Sequence, residues 1–320
     1  LVSLDQAQID MIAAQVEGGA SNIQDIYSLS SMQEGMLFHS RLDRQDDIYW
    51  VTDLVSLPSQ ARLAGFVSAM QRVSVRHDIM RTAFFWEHLS DPVQVVLREV
   101  ESIHEAFDPD PDAGPVRAQL LATFNATHCN IDLSRAPLFR SRSAYDPESG
   151  RFLLAIGSHH LLMDHASLDL ILEEAALIEQ GRESELPRAV PFRDYIWRAK
   201  QRSDEAADRA FFARMLGDIE QPTTPFGLVA MNSDGSDFIE HRESLPQALA
   251  DSLRVHARTL GVSVASIMHL AWAMMLSRAT GLDRVVFGTV LFGRMDGGHG
   301  ADRALGLYIN TLPIRVDLDA

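Results

Sequence analysis

A chain of 320 residues with 46% hydrophobic and 22% charged residues can bury a large core, which excludes a disordered sequence, and its length suggests two domains. Its 44 acidic and 28 basic residues give a formal net charge of -16, a field that repels phosphate and argues against nucleic acid or an anionic membrane as partner. The single cysteine, Cys129, excludes an internal disulfide and fits a reducing compartment. No run of about 18 apolar residues and no basic-then-apolar leader is present, so the expectation is a cytoplasmic globular protein without transmembrane helix or signal peptide.

Residues 4–16 read as a helix on Leu4, Ile9, Ile12 and Val16, ended by Glu17-Gly18-Gly19, and 21–27 as a connector. Residues 1–21 are therefore expected to be a linker. A short helix over 31–39 carries Met32, Met36 and Leu37 on one face; 51–57 is a strand. Residues 61–76 form an amphipathic helix with Leu63, Phe66, Val67, Met70 and Val73 on its buried stripe. Strands at 82–86 and 93–97 flank a turn at Ser90-Asp91-Pro92, and an acidic loop over 107–115 precedes a helix at 116–124. Strands at 139–145 and 152–157, a helix at 167–180 and a junction at 181–191 complete the first half. The second half is expected to hold helices near 192–216, 246–260 and 263–280, with strands near 237–244, 284–291 and 307–316. The pattern is α/β (α+β) in two halves.

The chemistry concentrates at Ser158-His159-His160-Leu161-Leu162-Met163-Asp164-His165, where a buried strand gives way to a helix. Side chains alternate across a strand, so one of His159 and His160 faces a cavity and the other the core. Histidine is the natural proton handler near neutral pH. Taken alone, the segment leaves alternatives open. Adjacent histidines at a strand end are often structural. His160, Asp164 and His165 could be metal ligands, although the helical His-x-x-x-His spacing is missing. A Ser-His-Asp hydrolase lacks its Gly-x-Ser-x-Gly elbow, and Cys129 has no nucleophile context.

Several ordered motifs resemble those of one family. The segment from Ser158 to His165 is similar to the HHxxxDG active-site motif of non-ribosomal peptide synthetase condensation domains. Tyr27-Ser28-Leu29-Ser30-Ser31-Met32-Gln33-Glu34-Gly35-Met36-Leu37-Phe38-His39 resembles the family's opening motif, and Arg76-His77-Asp78-Ile79-Met80-Arg81-Thr82-Ala83-Phe84 its RHExLRTxF motif. Phe192-Arg193-Asp194-Tyr195-Ile196-Trp197 resembles YxDFAxW, and Gly306-Leu307-Tyr308-Ile309-Asn310-Thr311-Leu312-Pro313-Ile314-Arg315 resembles GxFVNTxxxR. Phe287-Gly288-Thr289-Val290-Leu291-Phe292-Gly293-Arg294 also looks like the family's. These matches run in order from residue 22 to 315.

The resemblance implies two chloramphenicol-acetyltransferase-like lobes in a V, over residues 22–188 and 189–320, with the active site in a tunnel between them. The second lobe is expected to be partial, since the family's last two motifs are absent. It implies an acyltransferase that joins a donor acyl or peptidyl thioester to an acceptor aminoacyl thioester. No cofactor or metal is expected on the domain itself. Substrates would arrive on phosphopantetheine arms of upstream donor and downstream acceptor peptidyl carrier domains beside an adenylation domain.

Within that implied reaction His160 is the catalytic residue, positioning the attacking amine or taking its proton. A free α-amine has a pKa of about 8, so a weak base suffices once attack begins. His159 is expected to be structural, as are Arg76 and Arg81. Asp164 is expected to shape the loop through an ion pair with Arg294, and His165 and Ser167 to line or gate the tunnel. His165 stands where the family usually has glycine. His39 ends a stretch similar to subclasses that take a D-configured donor, but the dual epimerisation and condensation pattern that should follow is degraded over His39-Ser40 to Asp46-Asp47. Three other functions are weighed: that dual domain, a non-catalytic interface domain recruiting a tailoring enzyme, and a free-standing acyltransferase. The Gly18-Gly19 joint, similar to one following a carrier domain, argues against the last.

Overall fold

The computed structural model describes residues 2–42, 47–101, 103–128, 131–228, 241–296 and 300–318. Cys129 and Asp46 lie outside them. Two compact units are present: Leu1–Arg202 with Phe292–Asn310, and Ser203–Leu291 with Thr311–Ala320.

The first unit opens with α1 (Gln6–Gln15), started by a capping box in which Asp5 accepts the Gln8 N–H and the Gln8 side chain accepts the Asp5 N–H. These residues are not a loose linker. Ile12 and Val16 are buried against Ala83, Phe85, Val93 and Val95, because a helix with apolar side chains on one face gains about 1.5–3 kcal/mol for each one it buries. The expected connector at 21–27 is also structured, as strand β1 (Ile23–Ser28). Its run of Ile23, Ile26 and Tyr27 is too broken by polar residues to show strand alternation in sequence.

Then follow α2 (Ser31–Leu42), β2 (Trp50–Leu57), α3 (Gln60–Arg76), β3 (Thr82–Phe85), β4 (Val93–Leu97), the short β5 (His104–Ala106) and α4 (Val116–His128). β6 (Phe139–Asp146), β7 (Arg151–His159), α5 (His165–Glu179) and α6 (Phe192–Arg202) follow. One sheet has the order β1-β4-β3 and a second β2-β7-β6-β5, antiparallel except for β5 with β6.

Strand β7 is buried on both faces, which explains its near-continuous apolar run. Leu154 and Ile156 enter the core formed by α3 and α5, while Leu153 and Ala155 pack with Trp50, Leu120 and Phe124. Gly157 belongs to the second face, where a Cβ would stand 2.3 Å from the Trp50 ring and 2.7 Å from Phe124. α6 is part of the same unit: Phe192 and Ile196 are buried in the core that holds α3 and α5. The family resemblance implies a boundary at 188/189. The packing corrects it, because the amphipathic α6 spends its apolar face on the first unit and the segment at 292–310 returns to it.

The second unit contains α7 (Glu205–Leu216), α8 (Gln247–Leu260), α9 (Val264–Thr280) and most of the paired β8 (Arg284–Phe292) and β9 (Ile309–Asp317). Asp204 and Ser263 cap α7 and α9, and Gly261 and Gly281 end α8 and α9 in the left-handed conformation. Residues 241–244 carry no strand, and 237–240 of the strand expected there lie outside the described residues. No single described helix is long and apolar enough to cross a membrane.

The Arg76-to-Phe84 motif is structural. Glu174 of α5 bonds Arg76 Nε at 3.1 Å and His77 Nε2 at 2.9 Å, with Glu174 and His77 both buried. Arg81 donates to the carbonyls of Ser74, Leu97 and Arg98. Burial alone would raise the Glu174 carboxyl, but its bonds to His77 and Arg76 outweigh that and hold it below the usual range. A depressed carboxyl contributes stability above its unfolded value of about 4.3 and loses it as pH falls through the lower folded value. We therefore expect Glu174→Gln to lower stability by about 3 kcal/mol at pH 7. Its melting temperature should also fall less than the wild type's between pH 5 and 3. Coincident melting curves across that range would show that the pair contributes nothing.

Candidate active site

The turn joining β7 to α5 is held residue by residue. The strand parity that turns Leu153, Ala155 and Gly157 toward α4 continues to His159, which is fully buried. His159 Nδ1 accepts the Leu161 N–H at 3.0 Å and its Nε2 stands 3.0 Å from Asp47 Oδ2. Because a backbone N–H can only donate, Nδ1 is the acceptor nitrogen and Nε2 carries the hydrogen.

His160 is half-buried, one residue past the strand. Its N–H donates to the Tyr49 carbonyl at 2.8 Å, and its Nδ1 stands 3.3 Å from the Met163 carbonyl. A carbonyl oxygen only accepts, so Nδ1 carries a hydrogen, and in the neutral ring the lone pair is on Nε2. Gln33, fully buried on α2, donates to the Leu161 carbonyl at 2.8 Å and accepts from Gln94 at 3.1 Å. The opening motif thus reaches the histidine turn through one buried amide.

Asp164 is the N-cap of α5 and is buried. Its Oδ1 accepts from the Ser167 N–H at 2.9 Å and from Arg294 Nη2 at 2.8 Å, and its Oδ2 from the Tyr308 N–H at 3.1 Å. Arg294 also donates to the Ala304 carbonyl and to Ser167 Oγ, and lies over the Tyr308 ring at 4.5 Å. Burial raises the Tyr308 phenol far above its ordinary value, against the pull of Arg294, so that ring stays neutral.

Ser167, expected to line or gate a tunnel, does neither. It is fully buried, and its hydroxyl lies within hydrogen-bonding reach of Asp164, Arg294 and Gly306. A serine three residues past a capping aspartate points back at the cap, and the burial of that cap takes Ser167 with it. Gly306 completes the network by accepting from Asp164 N at 3.3 Å. It has φ of 153°, and a Cβ there would fall 2.1 Å from the Phe192 ring. No larger residue fits.

His165 is exposed as the first residue of α5. His39, also exposed, bonds the Tyr49 hydroxyl at 2.8 Å through Nδ1. Among the described residues no group of three or more His, Cys, Asp or Glu is placed to hold a metal, and Asp164 is committed to Arg294, Ser167 and Tyr308. Asp47, Tyr49 and Gln33 are site residues that the sequence did not single out. Gln33 lies inside a recognised motif and Asp47 at the end of the degraded run after His39, while Tyr49 left no signal.

The family description "Condensation domain" matches residues 23–320, and the chain belongs to that family. It is 44% identical to Malpinin synthetase of Mortierella alpina over 319 residues, all of this chain and 4% of that protein. It is 28% identical to Bacitracin synthase 3 of Bacillus licheniformis over 304 residues, 92% of this chain and 5% of that protein. The chain therefore spans only a small part of the curated relatives it matches. The fold is that of a solved condensation domain from the Monacolin K polyketide synthase MokA, with a TM-score of 0.71 at 18% identity, covering 93% of this chain and 69% of that one.

Removing the Asp164 carboxylate takes from Arg294 the anion it meets at 2.8 Å and from the Tyr308 N–H its acceptor. Asp164→Ala should cost about 3–5 kcal/mol, lowering the melting temperature by on the order of 10 °C. A variant that melts like the wild type but has lost turnover would instead assign Asp164 a direct chemical part.

Proposed function

We propose that this condensation domain forms an amide between two substrates delivered as thioesters on the phosphopantetheine arms of an upstream donor and a downstream acceptor carrier domain. It would do so in the cytoplasm, inside a larger protein that also holds an adenylation domain. The observation that carries the reading is the state of His160: half-buried, with Nδ1 tied to the Met163 carbonyl and Nε2 left as the acceptor nitrogen.

The acceptor's α-amine attacks the donor thioester carbonyl, forming the C–N bond and leaving a tetrahedral adduct with an ammonium and an oxyanion. Nε2 of His160 takes the ammonium proton. The adduct then collapses, the C–S bond breaks, and the departing donor thiolate takes up that proton, so that imidazole and thiol are restored. The lengthened chain stays on the acceptor's thioester. Tethering supplies the larger share of the rate, because both reactants arrive held and oriented. Proton handling by one positioned side chain contributes about 10²–10⁴-fold. Asp164 supports the reading by what it cannot do, since its oxygens are committed to Arg294, Ser167 and Tyr308.

His160→Ala is expected to lower condensation by about 10²-fold or more with the fold intact, measured with donor and acceptor loaded on carrier domains. Undiminished turnover would remove the imidazole from the mechanism. His165 adds a side chain at the exposed start of α5. We expect His165→Gly to keep the fold and to raise turnover of bulky acceptors more than of small ones; an unchanged acceptor preference would show that His165 gates nothing.

A further inference from the structure

The turn that carries His160 is tied, through two separate routes, to one carboxylate outside it. We propose that Asp47 is a positioning residue for the reaction proposed above, fixing the place of the His160 ring through His159 on one side and the Tyr49 backbone on the other. The inference rests on the reading of His160 as the proton-handling group.

Asp47 is largely buried, two residues ahead of Tyr49, and it stands between two donors. Oδ1 accepts the Tyr49 N–H at 3.0 Å. Oδ2 stands 3.0 Å from His159 Nε2, which must donate because Nδ1 of that ring already accepts the Leu161 N–H. A carboxylate can accept from both sides. An asparagine of the same shape cannot, because its oxygen satisfies one N–H and its amide nitrogen then faces the other. The site therefore demands a carboxylate for a geometric reason. The ionised form is also the one present: burial raises the Asp47 carboxyl, but its hydrogen bonds from His159 and the Tyr49 N–H outweigh it and hold it below the usual range.

Both donors lead to His160. Tyr49 is pinned at its N–H by Asp47 and at its hydroxyl by His39, 2.8 Å away, and its carbonyl receives the His160 N–H at 2.8 Å. His159 is the neighbouring residue, and its ring, locked by Asp47, also holds the Leu161 N–H on the far side of His160. Among the described residues, the hydrogen bond of the His160 ring is one of 3.3 Å to the Met163 carbonyl. The direction of that ring is therefore set by the backbone on either side of it, and Asp47 holds both sides.

The test uses the full chain labelled with ¹⁵N-histidine and the substitution Asp47→Asn. In the wild type, two-bond proton–nitrogen spectra at pH 8 should show His159 as the Nε2–H tautomer. In Asp47→Asn the His160 ring signals should shift or broaden while far-UV circular dichroism is retained. Turnover with carrier-bound donor and acceptor should fall about 10-fold with KM for both changed less than about twofold, since only the reacting geometry is disturbed. A wild-type His159 found as the Nδ1–H tautomer overturns the proposal, whether or not the variant folds. So do unmoved His160 signals, or full turnover, in a folded Asp47→Asn. Should the wild type condense no carrier-bound pair, the functional reading fails by itself, and the histidine spectra still decide whether Asp47 positions His160.

Discussion

The buried pair of Asp164 and Arg294 is the contact on which the site depends. Taking two charges out of water costs several kcal/mol for each ion, and their attraction offsets that only when the remaining lone pairs and protons are also bonded. Here they are. The Asp164 oxygens meet Ser167, Arg294 and Tyr308, and Arg294 meets the Ala304 carbonyl, Ser167 and the face of Tyr308. The partners come from three separated stretches of chain: the turn after β7, the segment around Arg294, and residues 304–308. None of them can move without uncovering a charge. That is a stronger constraint than apolar packing, which tolerates small shifts at small cost.

The two histidines show how one strand can serve both packing and chemistry. Parity decides which side chain goes where: His159 continues the face of β7 that packs on α4, and His160 leaves the strand with its ring half exposed. Burying an imidazole requires both nitrogens to be bonded. Asp47 and the Leu161 N–H meet that requirement and at the same time stiffen the backbone that presents His160.

Much of this was legible in sequence because it is local. Strand parity at His159-His160 and the apolar stripe of α3 follow from spacing alone, whereas the spacing starts the next helix at 167, two residues inside its actual start at His165. The pairing of Asp164 with Arg294 came from motif resemblance, since no spacing rule links residues 130 positions apart. The role of Asp47 was illegible: it only ends the degraded run after His39, and its partner is 112 residues away. Ser167 misled for a related reason. Its closeness to the histidine motif suggested an open wall, whereas the capping geometry of Asp164 draws it inward. The strand β1 and the packing of α1 were missed because their apolar residues find partners only on β3 and β4.

The partner of His160 Nδ1 also bears on which proton transfers suit this ring. In a Ser-His-Asp arrangement a carboxylate sits behind the imidazole and stabilises the cation formed when a hydroxyl proton is taken. Here the group behind the ring is the neutral Met163 carbonyl, and among the described residues Asp164 is spent on Arg294 and Asp47 on His159 and Tyr49. A ring so placed orients well but gives its cation little support. It suits removal of a proton from an ammonium that attack on a thioester has already made acidic. It suits poorly the abstraction of a proton from an α-carbon, which an epimerisation requires and which needs a base whose protonated form is held in place. The hydrogen bond at Nδ1 therefore favours amide formation alone over the dual epimerising and condensing alternative, on grounds independent of the degraded motif after His39.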